Sequence, residues 1–407
     1  MILSEPRRRD GRECDQRSTE ADRHRAPREV PALRYALFHG GARGAYLMIL
    51  NQKIVEQSVD RADKGRFVKE LVLVDGAVPL AMVRKRAAAR SGDPGGTRAT
   101  VVLIHGYGQN RYAWHLPMRS VTNFLARAGY DVFNLELRGH GRSAHLGASR
   151  PLTPADYVRE DVPAALDEVL SHTGGRPVFL VGHSLGGLVS YAVAPRAKGA
   201  VAGVVSIGSP YHFCHGARNL ARLGALLQLL DRKLEIFEGD PAMELRLVGE
   251  LVRSFRTFVE SPLYPLPFRG YHPLNIERDV LSAHMSLAMD MGSIRVMREM
   301  FRWAKERQGR IDMAGGIDGF GEPFEAMRET PLLVVAGGHD DLAPPEGVRT
   351  AFDRSRALDK TYRVVPAGHI DLLVGRDAAR TTWPILEAWL GRRASDAAWR
   401  PEAAHGT

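Results

Sequence analysis

Hydrophobic and polar positions along the chain fall into short apolar runs separated by amphipathic stretches. Residues 100–104, 178–182, 201–207 and 332–336 are nearly continuous apolar runs bounded by glycine, proline or polar turns, 362–365 forms a shorter one, and 131–137 reads as a further, more polar strand. Runs of this length without alternation predict strands buried on both faces. Between them, apolar residues recur with a period near 3.6 over 120–128, 154–171 and 382–391, predicting helices. Upstream, 67–74, a turn at Asp75-Gly76 and 79–84 predict a β-hairpin. Strands alternating with helices predict an α/β fold: a mostly parallel sheet covered on both faces, with the hairpin as an antiparallel edge.

Three intervals depart from this alternation. Residues 1–30 are polar and rich in Arg, Asp and Glu, which predicts a disordered tail, and 396–407 form a second tail. Within a lead-in over 31–65, Tyr46, Leu47, Leu50, Ile54 and Val55 recur at near-helical spacing, predicting an amphipathic helix over 45–57 packed on the domain. Over 211–330 no strand pattern appears, and helical spacing dominates 217–237, 242–258 and 282–306. Eight of the 12 methionines fall there, an adaptable apolar filling. The segment therefore reads as a helical cap inserted between two halves of one core, 66–210 and 331–395.

Composition narrows the setting. With 407 residues and 44% hydrophobic content, the chain can bury a large core. Two cysteines, Cys14 and Cys214, cannot build a disulfide framework. No run has signal-peptide or membrane-span character, so a soluble, cytoplasmic protein is expected. The net charge of +9 is spread among interleaved acids without a basic–aromatic module, so no nucleic-acid partner is expected. Contact with a lipid surface remains compatible with it. No phosphate-cradling or dinucleotide fingerprint occurs, and no cofactor is expected. Tyr211-His-Phe-Cys214-His215 lacks a second ligand cluster, so no metal is expected.

The candidate chemistry centres on Gly182-His-Ser184-Leu-Gly186, which follows the 178–182 run. A serine delivered by a strand into a sharp turn before a helix is a nucleophile elbow, and Gly182 and Gly186 let strand and helix nearly touch. Upstream, His105-Gly106-Tyr107-Gly108 directly follows the 100–104 run, and its glycines let the backbone turn N–H groups toward the serine. The amides of Tyr107 and Leu185 are the candidate oxyanion donors. The 332–336 run leads into Asp340-Asp341, of which the strand end and Pro344 favour Asp340 as the orienting acid, with Asp341 in reserve. His369 follows the last run and is the candidate base, whereas His339 reads as a loop residue. The order Ser184, Asp340, His369 is the one this scaffold uses.

From about residue 67 to 390 the chain resembles the α/β-hydrolase superfamily. The motifs carrying the resemblance are the elbow Gly182-His-Ser-Leu-Gly-Gly187, His105-Gly-Tyr-Gly108, Arg138-Gly-His-Gly-Arg-Ser143, Gly337-x-x-Asp340 and Gly368-His369, all in family order. Residues 105–143 are similar to acid-lipase-like and bacterial esterase or lipase members. The stretch from Gly368, with Trp383 and Trp389, resembles polyhydroxyalkanoate synthase-like proteins, which carry cysteine where this chain has Ser184. Dehalogenase and epoxide hydrolase relatives carry aspartate there. The resemblance implies a sheet of about eight strands, a helical cap after the sixth, and an esterase or lipase acting on a small-molecule or lipid ester with a hydrophobic group. An acyltransferase with the same triad, or a non-catalytic binding protein on this scaffold, are the alternatives.

Overall fold

The computed structural model describes residues 49–88, 96–211, 215–218, 221, 222, 224, 242–266, 269–303 and 321–397. The core strands are β1 (Ile49–Asp60), β2 (Asp63–Val74), β3 (Leu80–Ala87), β4 (Thr100–Ile104), β5 (Asp131–Glu136), β6 (Val178–His183) and β7 (Val201–Ile207). After the insertion, which carries β8 (Ala242–Glu244) and β9 (Met291–Ser293), come β10 (Leu332–Gly337) and β11 (Lys360–Val365). Nine strands form one sheet in the order β1-β2-β3-β5-β4-β6-β7-β10-β11. The first three pair antiparallel with each other and β3 with β5, and every later pairing is parallel.

The continuous apolar runs are explained by two-sided burial. In β4, Val102 and Ile104 pack on one face and Val101 and Leu103 on the other, all without solvent exposure. Helices α1 (Val121–Arg127) and α9 (Thr382–Ala397) cover the second face, through Leu125, Trp383 and Trp389. On the first lie α2 (Val162–Thr173), α3 (Leu185–Val193) and α8 (Pro345–Arg354), through Leu166, Leu188 and Val348. The helix predicted over 154–171 is interrupted by a π-helical turn at Tyr157–Asp161 before α2.

The lead-in differs from its expectation. The described part of the 31–65 segment is not an amphipathic helix but strand β1, paired along its length with β2, which makes the sheet nine-stranded rather than about eight. Of the stripe's described apolar positions, Val55 packs against the core, but Leu50 is 44% and Ile54 60% exposed. The β-branched Ile54, Val55 and Val59, and a tight turn in which Arg61 takes φ 57°, favour the ladder over the helix. Residues 1–30 and 398–407, the Cys14 and Cys214 positions and most of 217–237 lie outside the described residues.

The insertion between β7 and β10 is largely helical, as expected, with α4 (Leu245–Ser254), α5 (Arg256–Val259), α6 (Arg278–Leu287) and α7 (Ile294–Trp303). Contrary to expectation it also holds strands: β8 and β9 pair antiparallel as a two-stranded ribbon. The 282–306 helix is split there, because Asp290 turns the chain onto the loop after β4, its N–H donating to Gly108 O at 2.7 Å. No helix of the described residues is long and apolar enough to cross a membrane.

Candidate active site

Strand β6 delivers Ser184 into a turn with φ 53° and ψ −121°, and α3 starts at the next residue. This left-handed backbone holds because strand and helix are pressed together. A Cβ on Gly182 would strike the backbone of Gly186 and Gly187, and one on Gly186 would strike the carbonyl of Ile104. Both elbow positions are therefore closed to any side chain. Ser184 is partly exposed, unlike its buried neighbours His183 and Leu185.

The candidate acid and base come from loops after β10 and β11. His369 Nδ1 lies 2.7 Å from Asp340 Oδ2. The other carboxylate oxygen accepts the backbone N–H groups of Leu342 (2.9 Å) and Ala343 (2.7 Å), so Asp340 is fixed from both sides. Burial would depress the His369 imidazolium, but Asp340 first, then the charges of Asp341 and Asp371, outweigh it and hold the ring's pKa above its ordinary value. Nδ1 is thereby engaged, leaving Nε2 as the nitrogen available for proton transfer. Ile207-Gly208, at the end of β7, is the common neighbour. Ser184 N–H donates to Ile207 O at 3.0 Å, and a Cβ on Gly208 would sit 3.4 Å from both Asp340 Oδ2 and His369 Nδ1.

Asp341, the reserve acid, does something else. It accepts the backbone N–H groups of Arg269 (2.6 Å) and Gly270 (3.0 Å) and so ties the middle of the cap segment to the core. His339 stacks on His272 with ring centroids 4.3 Å apart, away from the Asp340 pair.

The loop after β4 is fixed by His105. Its Nδ1 lies 2.9 Å from Gly106 O and its Nε2 accepts Leu137 N–H at 3.2 Å, which defines a neutral ring protonated on Nδ1. Gly106 leans on the nucleophile: a Cβ there would be 3.1 Å from Ser184 Cβ. Among the described residues, neither the Tyr107 nor the Leu185 N–H has an acceptor, the state expected of donors reserved for a ligand. The Arg138–Ser143 turn braces this end of the sheet, since Arg138 Nε and N both donate to Asp161, at 2.6 and 2.9 Å, and Ser143 Oγ accepts Ala81 N–H.

Sequence reasoning missed how the cap touches this loop. Asn110 N–H donates to Ala288 O (3.0 Å), Asn110 Nδ2 to Leu287 O (2.9 Å), and Tyr107 Oη to Ser293 O (2.9 Å). Buried Asp290 gathers Gly141 N–H, Met291 N–H and Arg246. It also missed Gln109 and His284, which meet beside the site at 3.3 Å. Most of these bonds use backbone groups, which leave no mark in residue identity. Among the described residues no group of three or more His, Cys, Asp or Glu side chains could hold a metal ion.

A mostly parallel sheet carrying a strained serine at a strand-to-helix turn defines a class, and the comparison with known proteins agrees. The alpha/beta hydrolase fold family matches residues 99–376, and the chain belongs to that family. Among its relatives, a probable alcohol acetyltransferase of Saccharomyces cerevisiae is 29% identical over 194 residues, covering 45% of this chain and 54% of that protein. The gastric triacylglycerol lipase of Mus musculus is 24% identical over 77% of this chain and 85% of its own. A soluble variant of monoglyceride lipase from Saccharomyces cerevisiae, solved with a substrate analogue, shares the fold with TM-score 0.54 and 16% identity, covering 86% of this chain and 97% of that one.

Proposed function

We propose that the chain is a serine hydrolase that cleaves carboxylic esters carrying a hydrophobic group. The observation that carries this reading is the 2.7 Å bond between His369 and a doubly anchored Asp340, beside a serine held at φ 53°. Ser184 Oγ attacks the ester carbonyl while His369 Nε2 takes its proton, and Asp340 stabilises the imidazolium. The Tyr107 and Leu185 amides bind the oxyanion. The imidazolium returns the proton to the departing alcohol, and water then releases the acid by the same steps. Lipase relatives, one of them matched over most of its length, support an ester as substrate. The test is labelling by a fluorophosphonate and turnover of a chromogenic short-chain ester. Both should vanish in Ser184→Ala, and retained turnover would refute the assignment.

Acyl transfer is the second reading, favoured by the yeast acetyltransferase relative. The chemistry is shared until an alcohol replaces water as the acceptor. Product analysis at low alcohol concentration separates the two, and transfer outrunning hydrolysis would select the second.

A lipid surface is part of the proposal, as is a cytoplasmic setting. Leu247, Leu251, Phe255 and Phe258 are 62%, 58%, 60% and 49% exposed and recur every three to four residues along α4 and α5. Arg246 and Arg253, ion-paired with Asp290 and Glu250, lie on the same helix as this apolar stripe. Sedimentation with anionic phosphatidylglycerol vesicles should carry the protein down, and the L251E/F255E variant should stay in solution. Equal sedimentation of both would refute the contact.

A further inference from the structure

Two buried polar side chains that the reaction above leaves unused meet each other, and one of them reaches the backbone beside the nucleophile. Gln109 lies two residues beyond Tyr107, and its backbone N–H is fixed to Gly106 O at 3.3 Å. A Cβ on Gly106 would stand 3.0 Å from Gln109 Oε1 and 3.1 Å from Ser184 Cβ, so the carboxamide and the nucleophile flank the same backbone atom. The other end of the carboxamide faces His284 Nε2 of cap helix α6 at 3.3 Å. His284 has no exposed surface, and burial first, then the charge of His369, lower its pKa to about 4. It therefore carries one proton at neutral pH.

A neutral imidazole and a carboxamide share one hydrogen bond here, and two arrangements satisfy it. If the amide N–H donates to His284, both Gln109 Oε1 and a protonated His284 Nδ1 are buried without partners. If His284 Nε2–H donates to the amide oxygen, Nδ1 is only a bare lone pair. The donors left over are then the two N–H groups of the amide, which lie beside Gly106 and Ser184. Unmet buried donors are costly, and one facing a reacting centre has an obvious partner in the charge that develops there.

We propose that Gln109 is a catalytic residue whose side-chain N–H joins the Tyr107 and Leu185 amides as a third oxyanion donor, with His284 as the positioning residue that turns it toward the substrate. This rests on the Ser184 reading. It makes one of the three donors depend on the cap, so that α6 must be seated for full activity. A donor that meets its partner only when the carbonyl oxygen becomes charged acts on kcat and leaves KM nearly unchanged.

The experiment is steady-state hydrolysis of 4-nitrophenyl butyrate by the full chain and five variants, with thermal melting in parallel. Gln109→Met should lower kcat by about 10²-fold with little change in KM. His284→Phe should fall similarly, and the double variant should be no slower than Q109M, because the pair acts as one unit. His284→Gln, which keeps an N–H toward Gln109 Oε1, should recover kcat to within about threefold of wild type. A Q109M enzyme with unchanged kcat, a loss confined to KM, losses that multiply in the double variant, or no recovery in H284Q each overturn the proposal alone. Wild-type turnover that survives Ser184→Ala overturns the reading of the site and this inference with it.

Discussion

A single methyl group on Gly182 tests the elbow more sharply than any change to the serine. The Cβ of an alanine there would meet the carbonyl carbon and oxygen of Gly186 and the amide nitrogen of Gly187, all closer than real Cβ atoms come. These are backbone atoms, so no rotamer change relieves them. Restoring ordinary contact requires β6 and α3 to separate by about 1 Å. Overpacking of this kind costs about 1–3 kcal/mol. The same shift moves Ser184 and the Leu185 amide away from His369 and the loop after β4, and a misplacement near 1 Å costs about 10²-fold in rate. Gly182→Ala should therefore lose about 2 kcal/mol in urea unfolding and about 10²-fold in the rate of Ser184 phosphonylation by a fluorophosphonate. Gly187 supplies the contrast. A Cβ there meets the side chain of Ser209, so the damage of Gly187→Ala should be reversed by adding Ser209→Gly. No side-chain truncation can rescue Gly182→Ala. If that variant kept its stability within about 0.5 kcal/mol and labelled at a near-normal rate, the close approach of strand and helix would not be what holds the serine.

The two adjacent aspartates should separate by assay. Asp340→Asn should cut kcat on the order of 10⁴-fold, because an amide facing Nδ1 selects the wrong tautomer. Activity should rise with pH through the elevated His369 pKa, and Asp340→Asn should move that acid limb downward in a pH profile of kcat/KM. Asp341→Asn should instead cost about 1–2 kcal/mol of stability, since one of the Arg269 and Gly270 N–H groups loses its acceptor, with kcat changed only a few-fold. Lys85 gives a pH test of the fold. It is fully buried between Gln57, Asn123 and His115, and burial, then the charges of Lys69 and Arg111, lower its pKa to about 6. Between that value and the ordinary lysine range the unfolded chain binds the extra proton, so stability should rise with pH. Unfolding by urea at pH 6.5 and 9 should show a gain of up to about 3 kcal/mol that is smaller in Lys85→Met, and equal gains would refute it.

Much of the core was legible because its physics is local. The β4 run Thr100–Ile104 needs apolar residues at every position, and the β6 run leads straight into Gly-x-Ser-x-Gly. Each signal lies within a few residues of what it predicts. The choice of Asp340 over Asp341 rested on the strand end and Pro344 alone, and Asp340 is the one of the two that lies 2.7 Å from His369. Strand β1 failed because five apolar residues in a polar stretch fit a period of 3.6, while its fate depended on pairing with β2 across the Asp60–Asp63 turn.

The cap failed for a deeper reason, and that reason bears on function. Helical spacing found α4, α6 and α7, but the break at Met291–Ser293 comes from the core rather than from the cap's own sequence. Gly108 O takes the Asp290 N–H, Ala288 O takes the Asn110 N–H, and Gln109 bridges to Met289. These bonds join segments some 180 residues apart, so no window along the chain contains both halves. They attach the cap to the loop in which Gly106 lies against Ser184. A substitution on the cap can therefore alter the proposed oxyanion site without touching substrate, and the cap's position becomes a catalytic variable as well as a steric one. Leu245 packs above Gly108, a glycine at φ 61°, and Gly292 packs against the Tyr107 ring. Each of these contacts leaves the donor loop little room to move unless the cap moves with it.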